Sequence, residues 1–341
     1  MTLHKKTGIF LGTALLTALL LNGCNQSPSS PSAPRQEYYE KQEFALSTEI
    51  SIRVYTEEDA EVLDGCFSLI REYEQKLSRT LKDSEIARLN RREISEISEE
   101  TAELLAAGLH YSELSDGAYD VAIATLTSLW DFLAEKPAVP DEDKIREAAA
   151  WADYTAVHLD GTTVTFDNDI TGVDLGSIAK GYIADRVKEY LTKNGVKNAL
   201  ISLGGNILLL GSKPDGSDFK IGIQEPFGSR DSYIGVASLS DLSLVTSGIY
   251  ERYFEEDGKG YHHILNPNTG YPYENNLLSV TIIGPDSMDC DGLSTACFSL
   301  GLEKGMALID RIPEYYAIFV TDDGKQHFSD GLMEHVSYQE R

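Results

Sequence analysis

The chain has 341 residues, with 55 Asp and Glu against 29 Lys and Arg and a formal net charge of −26 at pH 7. That balance, with no basic block anywhere, excludes polyanionic nucleic acid as a partner; a phosphate ligand would need a metal ion or a local positive site. The four cysteines, Cys24, Cys66, Cys290 and Cys297, contain no Cys-x-x-Cys pair, so no disulfide framework is indicated.

The N-terminus reads as a secretory signal: His4, Lys5 and Lys6, then an apolar run over residues 8–21, shorter than the ~20 residues of a membrane span. Leu21-Asn22-Gly23-Cys24 resembles a bacterial lipobox, which makes residues 1–23 a signal peptide and Cys24 the lipidated first residue of the mature chain. An uncleaved anchor, or an ordinary signal with a chance cysteine, is the alternative. Residues 25–35 are polar and rich in Pro and Ser, so residues 24–42 read as anchor and tether, holding a domain of residues 43–341 outside the cytoplasm at the cell membrane. Some three hundred residues are large for one core and suggest two fused lobes.

Within the domain, residues 44–55 alternate like a strand, and residues 57–78 repeat apolar side chains at helical spacing, with Cys66 on the buried stripe. Residues 98–114 and 141–151 form two further helices. Short strands follow at 156–159 and 163–166, then a helix over 177–193 closed by Asn194-Gly195. Strands are expected at 199–203, 207–210, 220–223, 234–240, 244–247, 279–283 and 316–321. A late helix starts near Asp291 or Gly292, and another covers 303–312. Runs of strands with inserted helices give an α+β class: two fused lobes with a largely antiparallel sheet and packed helices, the active site in the cleft between them.

Four patterns carry chemistry. In Gly172-Val173-Asp174-Leu175-Gly176-Ser177-Ile178-Ala179-Lys180-Gly181 a glycine turn opens a helix with a lysine in its first turn, an arrangement suited to a phosphate; read alone, it equally fits a plain capped helix with a solvated lysine. His262 and His263 precede Asn266-Pro267 and Thr269-Gly270, and adjacent strand residues face opposite sides, so at most one histidine enters a site. Asp291 and Thr295, four apart, offer hard oxygens on one helix face, as Mg²⁺ takes them, or else are a helix cap and a helical threonine. Gly204-Gly205-Asn206 and Thr246-Ser247-Gly248 are turns that bring backbone close to something.

In order and wording these pieces resemble the FAD:protein FMN transferase (ApbE-type) family, from Phe44 to Gly301. The matching stretches also include Ser84-Glu85-Ile86 with Leu89-Asn90, Gly117-Ala118-Tyr119-Asp120, Leu129-Trp130 and Asp291-Gly292-Leu293-Ser294-Thr295-Ala296. Three positions depart from the pattern: Leu46-Ser47-Thr48 stands for Met-Gly-Thr, Asn266 for the usual aspartate, and Cys290 for a small residue.

The resemblance implies that Mg²⁺ is held by the side chains of Asp291 and Thr295 and the backbone carbonyl of Ser177. FAD, the substrate, would be bound by Ala118, Tyr119, Asp120, Asp174, Lys180 and Ile264, with His263 and Asp174 as the catalytic pair. His263 is expected to take the proton of a Ser or Thr hydroxyl, because an ordinary histidine pKa of ~6.5 suits neutral pH. The acceptor is a partner protein, implied to be a membrane redox subunit. Two readings compete: an FAD pyrophosphatase giving FMN and AMP, and a non-catalytic flavin- or solute-binding lipoprotein.

Overall fold

The computed structural model describes residues 37–229 and 231–341; the signal peptide, Cys24 and most of the tether lie outside them. In chain order the strands are β1 (Tyr39–Ala45), β2 (Thr48–Val54), β3 (Val157–Asp160), β4 (Thr163–Phe166), β5 (Ala199–Leu203), β6 (Asn206–Leu210), β7 (Phe219–Gln224), β8 (Tyr233–Leu239), β9 (Ser243–Gly248), β10 (Tyr253–Glu256), β11 (Lys259–His262), β12 (Leu277–Gly284), β13 (Tyr316–Thr321), β14 (Gln326–Phe328) and β15 (Ser337–Glu340). The helices are α1 (Glu57–Ala60), α2 (Leu63–Leu77), α3 (Glu85–Asn90), α4 (Glu99–Leu114), α5 (Ala124–Trp130), α6 (Glu142–Ala149), α7 (Ala179–Lys193), α8 (Ser287–Leu300), α9 (Leu302–Ile309) and α10 (Leu332–His335).

Eight strands form the central sheet in the order β1-β2-β5-β6-β9-β12-β13-β14, and every ladder in it is antiparallel. The sheet is covered on both faces, and neighbouring residues divide between them, as a period of two requires. Val245, Val280, Ile282, Ala317 and Phe319 join the large core under the helices. Leu244, Ile283 and Ile318 face a smaller core under the separate sheet β15-β8-β7. The α+β class and antiparallel pairing hold, and residues Tyr38–Arg341 form one compact unit.

Three local expectations are corrected. The single strand over 44–55 is a hairpin whose two-residue turn is Leu46-Ser47, and β1 begins at Tyr39, inside the stretch read as tether. Leu46 and Ser47 both carry positive φ, 52° and 58°, a turn that Asn-Gly would announce and Leu-Ser conceals. The helix expected from Asp291 starts at Ser287. Its first N–H groups are capped from a distance: Asp185 on α7 accepts from Ser287 N at 3.0 Å and Met288 N at 2.8 Å. Cys66, Cys290 and Cys297 are buried and unpaired, as small apolar side chains are.

Candidate active site

The site grows from one close crossing. A Cβ built on Gly181 would lie 2.2 Å from the Ser287 carbonyl oxygen, so only glycine lets α7 and α8 meet backbone to backbone. This contact brings the second turn of α8 to the start of α7. The Gly181 N–H, in the first turn of α7, where a helix leaves its donors without an intrahelical acceptor, donates to Asp291 Oδ2 at 2.9 Å.

Asp291 is 2% exposed. Burial pushes its carboxyl pKa up, and the Lys180 ammonium opposes that shift. Lys180 Nζ lies 3.7 Å from Asp291 Oδ1 and 3.4 Å from Asn206 Oδ1. One turn beyond Asp291, Thr295 Oγ1 is 3.1 Å from Ser247 Oγ on β9. Among the described residues no group of three or more His, Cys, Asp or Glu side chains gathers as metal ligands. A cation here would draw on the Asp291 carboxylate together with hydroxyl and carbonyl oxygens. Such a donor set fits a hard ion such as Mg²⁺ that keeps part of its shell for water or phosphate.

A cavity of about 370 Å³ opens over this crossing. All ten expected site residues in the described part of the chain line it: Ala118, Tyr119, Asp120, Asp174, Ser177, Lys180, His263, Ile264, Asp291 and Thr295. Tyr119 is buried and its hydroxyl accepts from Ser177 Oγ at 2.9 Å. Asp120 holds its own loop, accepting from Ala122 N at 2.7 Å and Tyr154 N at 3.1 Å. Its burial raises the carboxyl pKa to about 6.

The two histidines resolve as the strand period requires. His262 is a satisfied core residue, its Nε2 2.9 Å from the Tyr273 carbonyl and its Nδ1 accepting from Ile264 N at 3.3 Å. His263 faces the cavity, and its buried Nδ1 has no hydrogen-bond partner among the described residues. The expectation of an ordinary histidine pKa fails. Burial, then the positive charges of Arg252, His262 and Lys180, lower it to about 3, so the ring is neutral at physiological pH.

Asp174 is more heavily engaged than the sequence suggested. Its Oδ2 accepts from Arg79 Nε at 2.9 Å and Thr127 Oγ1 at 2.7 Å, and its Oδ1 from Gly176 N at 2.9 Å. With three donors in place the carboxylate holds Arg79 and the Gly176 turn, an arrangement unlike that of a proton-transfer group. Arg79 was missed by sequence reasoning; a basic residue just past a helix end in so acidic a chain was the available signal. Thr246-Ser247-Gly248, expected as a turn, is the end of strand β9; Glu251 and Arg252, just beyond it in the cavity wall, had no signal of their own. Leu46 and Ser47 also line the cavity, and Leu46 N donates to Glu74 Oε1 at 2.8 Å.

The sequence pattern of the ApbE family matches residues 46–319. An FAD:protein FMN transferase of Treponema pallidum is 36% identical over 324 residues, covering 89% of this chain and 90% of its own length. One of Klebsiella pneumoniae is 39% identical over 281 residues, covering 81% and 87%. Among solved structures, the ApbE protein of Thermotoga maritima superposes with a TM-score of 0.80 at 32% identity, over 87% of this chain and 99% of its own. The flavin transferase ApbE of Vibrio cholerae gives 0.78 at 29%, with the same coverage. A family pattern running through most of the domain, and relatives this similar along nearly their whole length, lead to one assignment: the chain belongs to the ApbE family.

Proposed function

We propose that this chain is a Mg²⁺-dependent FAD:protein FMN transferase, moving the FMN half of FAD onto a Ser or Thr hydroxyl of a partner protein with release of AMP. The observation that carries the reading is the crossing of α7 and α8. It sets the Asp291 carboxylate, the Thr295 hydroxyl, Ser177 and the Lys180 ammonium around one cavity. A flavin binder without catalysis has no use for hard-oxygen ligands beside a diphosphate site.

Asp291, Thr295 and the Ser177 carbonyl would hold the metal, which when bound neutralises diphosphate charge and polarises the phosphorus under attack. Lys180 faces the diphosphate and takes up charge that develops on the departing AMP phosphate. The acceptor hydroxyl oxygen forms a bond to the FMN phosphorus as the phosphorus–oxygen bond to the AMP moiety breaks. His263 receives the hydroxyl proton. Its low pKa reflects burial beside cations; a bound anionic diphosphate offsets those cations and raises the basicity of the ring when the proton must move. Asp174 acts as a positioning residue, fixing Arg79 and the Gly176 turn against the substrate.

In the same reading Cys24 carries the lipid, the residues between it and β1 tether the domain on the extracytoplasmic side, and the acceptor is a membrane redox subunit. The test is incubation with FAD, Mg²⁺ and an acceptor flavoprotein domain, followed by in-gel flavin fluorescence with and without chelator. A fluorescent acceptor band that chelator and Asp291→Asn both abolish supports the reading. Release of FMN and AMP with no labelled protein would make the chain a hydrolase instead.

A further inference from the structure

Phe227 and Tyr253, 54% and 48% exposed, are two of the large apolar side chains left at the surface, and they stand together. Their rings meet edge to face at 5.3 Å between centroids, and Phe227 makes a second edge contact with Tyr250 at 6.0 Å. Phe227 lies in the loop between β7 and β8 with a φ of 59°, a left-handed conformation that a bulky residue adopts at a cost. That cost is not offset by burial, since half the ring stays in solvent.

This ledge continues the cavity wall. Tyr253 pairs with His262 across the β10–β11 hairpin and directly follows Arg252, whose carbonyl accepts the His263 N–H at 3.1 Å. Glu255 is also exposed and, two residues on, projects from the same face of β10 as Tyr253. An aromatic contact and a carboxylate thus stand in a row, starting one residue from the cavity lining.

We propose that this ledge seats the acceptor protein. The occupant is an extended segment carrying the hydroxyl residue, with a large apolar side chain against Phe227 and Tyr253 and a Lys or Arg two residues further, opposite Glu255. The proposal rests on the transfer reading above, because hydrolysis brings only water to the cavity whereas transfer must bring a polypeptide to its rim. Side chains two apart in an extended segment share a face, which matches the spacing of Tyr253 and Glu255.

The test uses synthetic peptides with one fixed central threonine and randomised flanks, incubated with FAD, Mg²⁺ and the full chain, and labelled peptides sequenced by mass spectrometry. The wild-type protein is expected to favour peptides with an aromatic or large aliphatic residue followed two positions later by Lys or Arg. Phe227→Gly with Tyr253→Ser should erase that preference and slow labelling of the favoured peptides at least tenfold. Its KM for FAD and its Tm should stay at wild-type values, since glycine relieves the strained φ. Glu255→Lys should abolish the basic preference alone. Labelling by the double variant with wild-type rate and preference, labelling by wild type without any preference, or a matching change in KM for FAD would overturn the ledge while leaving transfer intact. A wild-type protein that splits FAD and labels no peptide would overturn the transfer reading and the ledge together.

Discussion

Gly181 and Asp291, 110 residues apart in sequence, share a 2.9 Å hydrogen bond that exists only because α7 and α8 touch through a position without a side chain. Gly181→Ala would drive a methyl group into the Ser287 carbonyl, and the two helices would have to part. The expected cost is about 1–3 kcal/mol of stability, read as a lower urea midpoint, with loss of FMN transfer of at least about a hundredfold, equivalent to ~2.7 kcal/mol. An alanine variant with the wild-type midpoint and full transfer would show that the crossing does not build the site.

Asp174 offers a test of positioning against proton transfer. Asp174→Asn keeps the shape but removes the charge that holds Arg79, a loss of about 1.5–3 kcal/mol for a charged hydrogen bond. Steady-state kinetics should show the KM for FAD rising roughly tenfold or more, with kcat much less affected. A collapse of kcat at unchanged KM would instead make Asp174 a chemical participant.

His263→Asn should abolish transfer to the acceptor while FAD binding, followed by flavin fluorescence, persists. The same variant also reports on the buried ring. The folded pKa is depressed to about 3, against ~6.5 in the unfolded chain. Above the unfolded value both states are neutral and the ring contributes nothing. Below it the unfolded state binds the extra proton, so the wild type loses stability as pH falls from about 6.5 toward 3. At pH 4.5 that loss is about 2–3 kcal/mol, and the variant escapes it. Thermal melts should therefore show the Asn variant gaining on wild type as the buffer is acidified from pH 7 to pH 4.5; a constant difference would mean the imidazole is not buried beside cations.

Leu46 and Ser47 occupy two consecutive left-handed positions. Replacing them by Asn-Gly supplies the residues that such a two-residue hairpin prefers. Differential scanning calorimetry should record a gain of about 1 kcal/mol, roughly 2 °C in Tm. A lower Tm would show that the Leu46 side chain contributes more through packing than its backbone costs.

Much of the molecule was legible in the sequence because its signals are local. Strand β5 at Ala199–Leu203 and strand β13 at Tyr316–Thr321 fall where the apolar pattern placed them, and the apolar stripe of α2, with Cys66 on it, is the buried one. Ordered short motifs, through the family they resemble, nominated ten residues that the fold brings to one cavity. What the sequence hid was set by contacts between distant segments. Asp185 starts α8 earlier than any residue near Asp291 would suggest, because a cap can come from anywhere that packing delivers a carboxylate. The neutral state of His263 depends first on its burial and then on Arg252 and Lys180 closing around it, and the engagement of Asp174 depends on Arg79 arriving from 95 residues away. Residue type and spacing thus decided which groups this protein could use; burial and charge proximity, which exist only in the folded chain, decided the protonation state and partners with which it uses them.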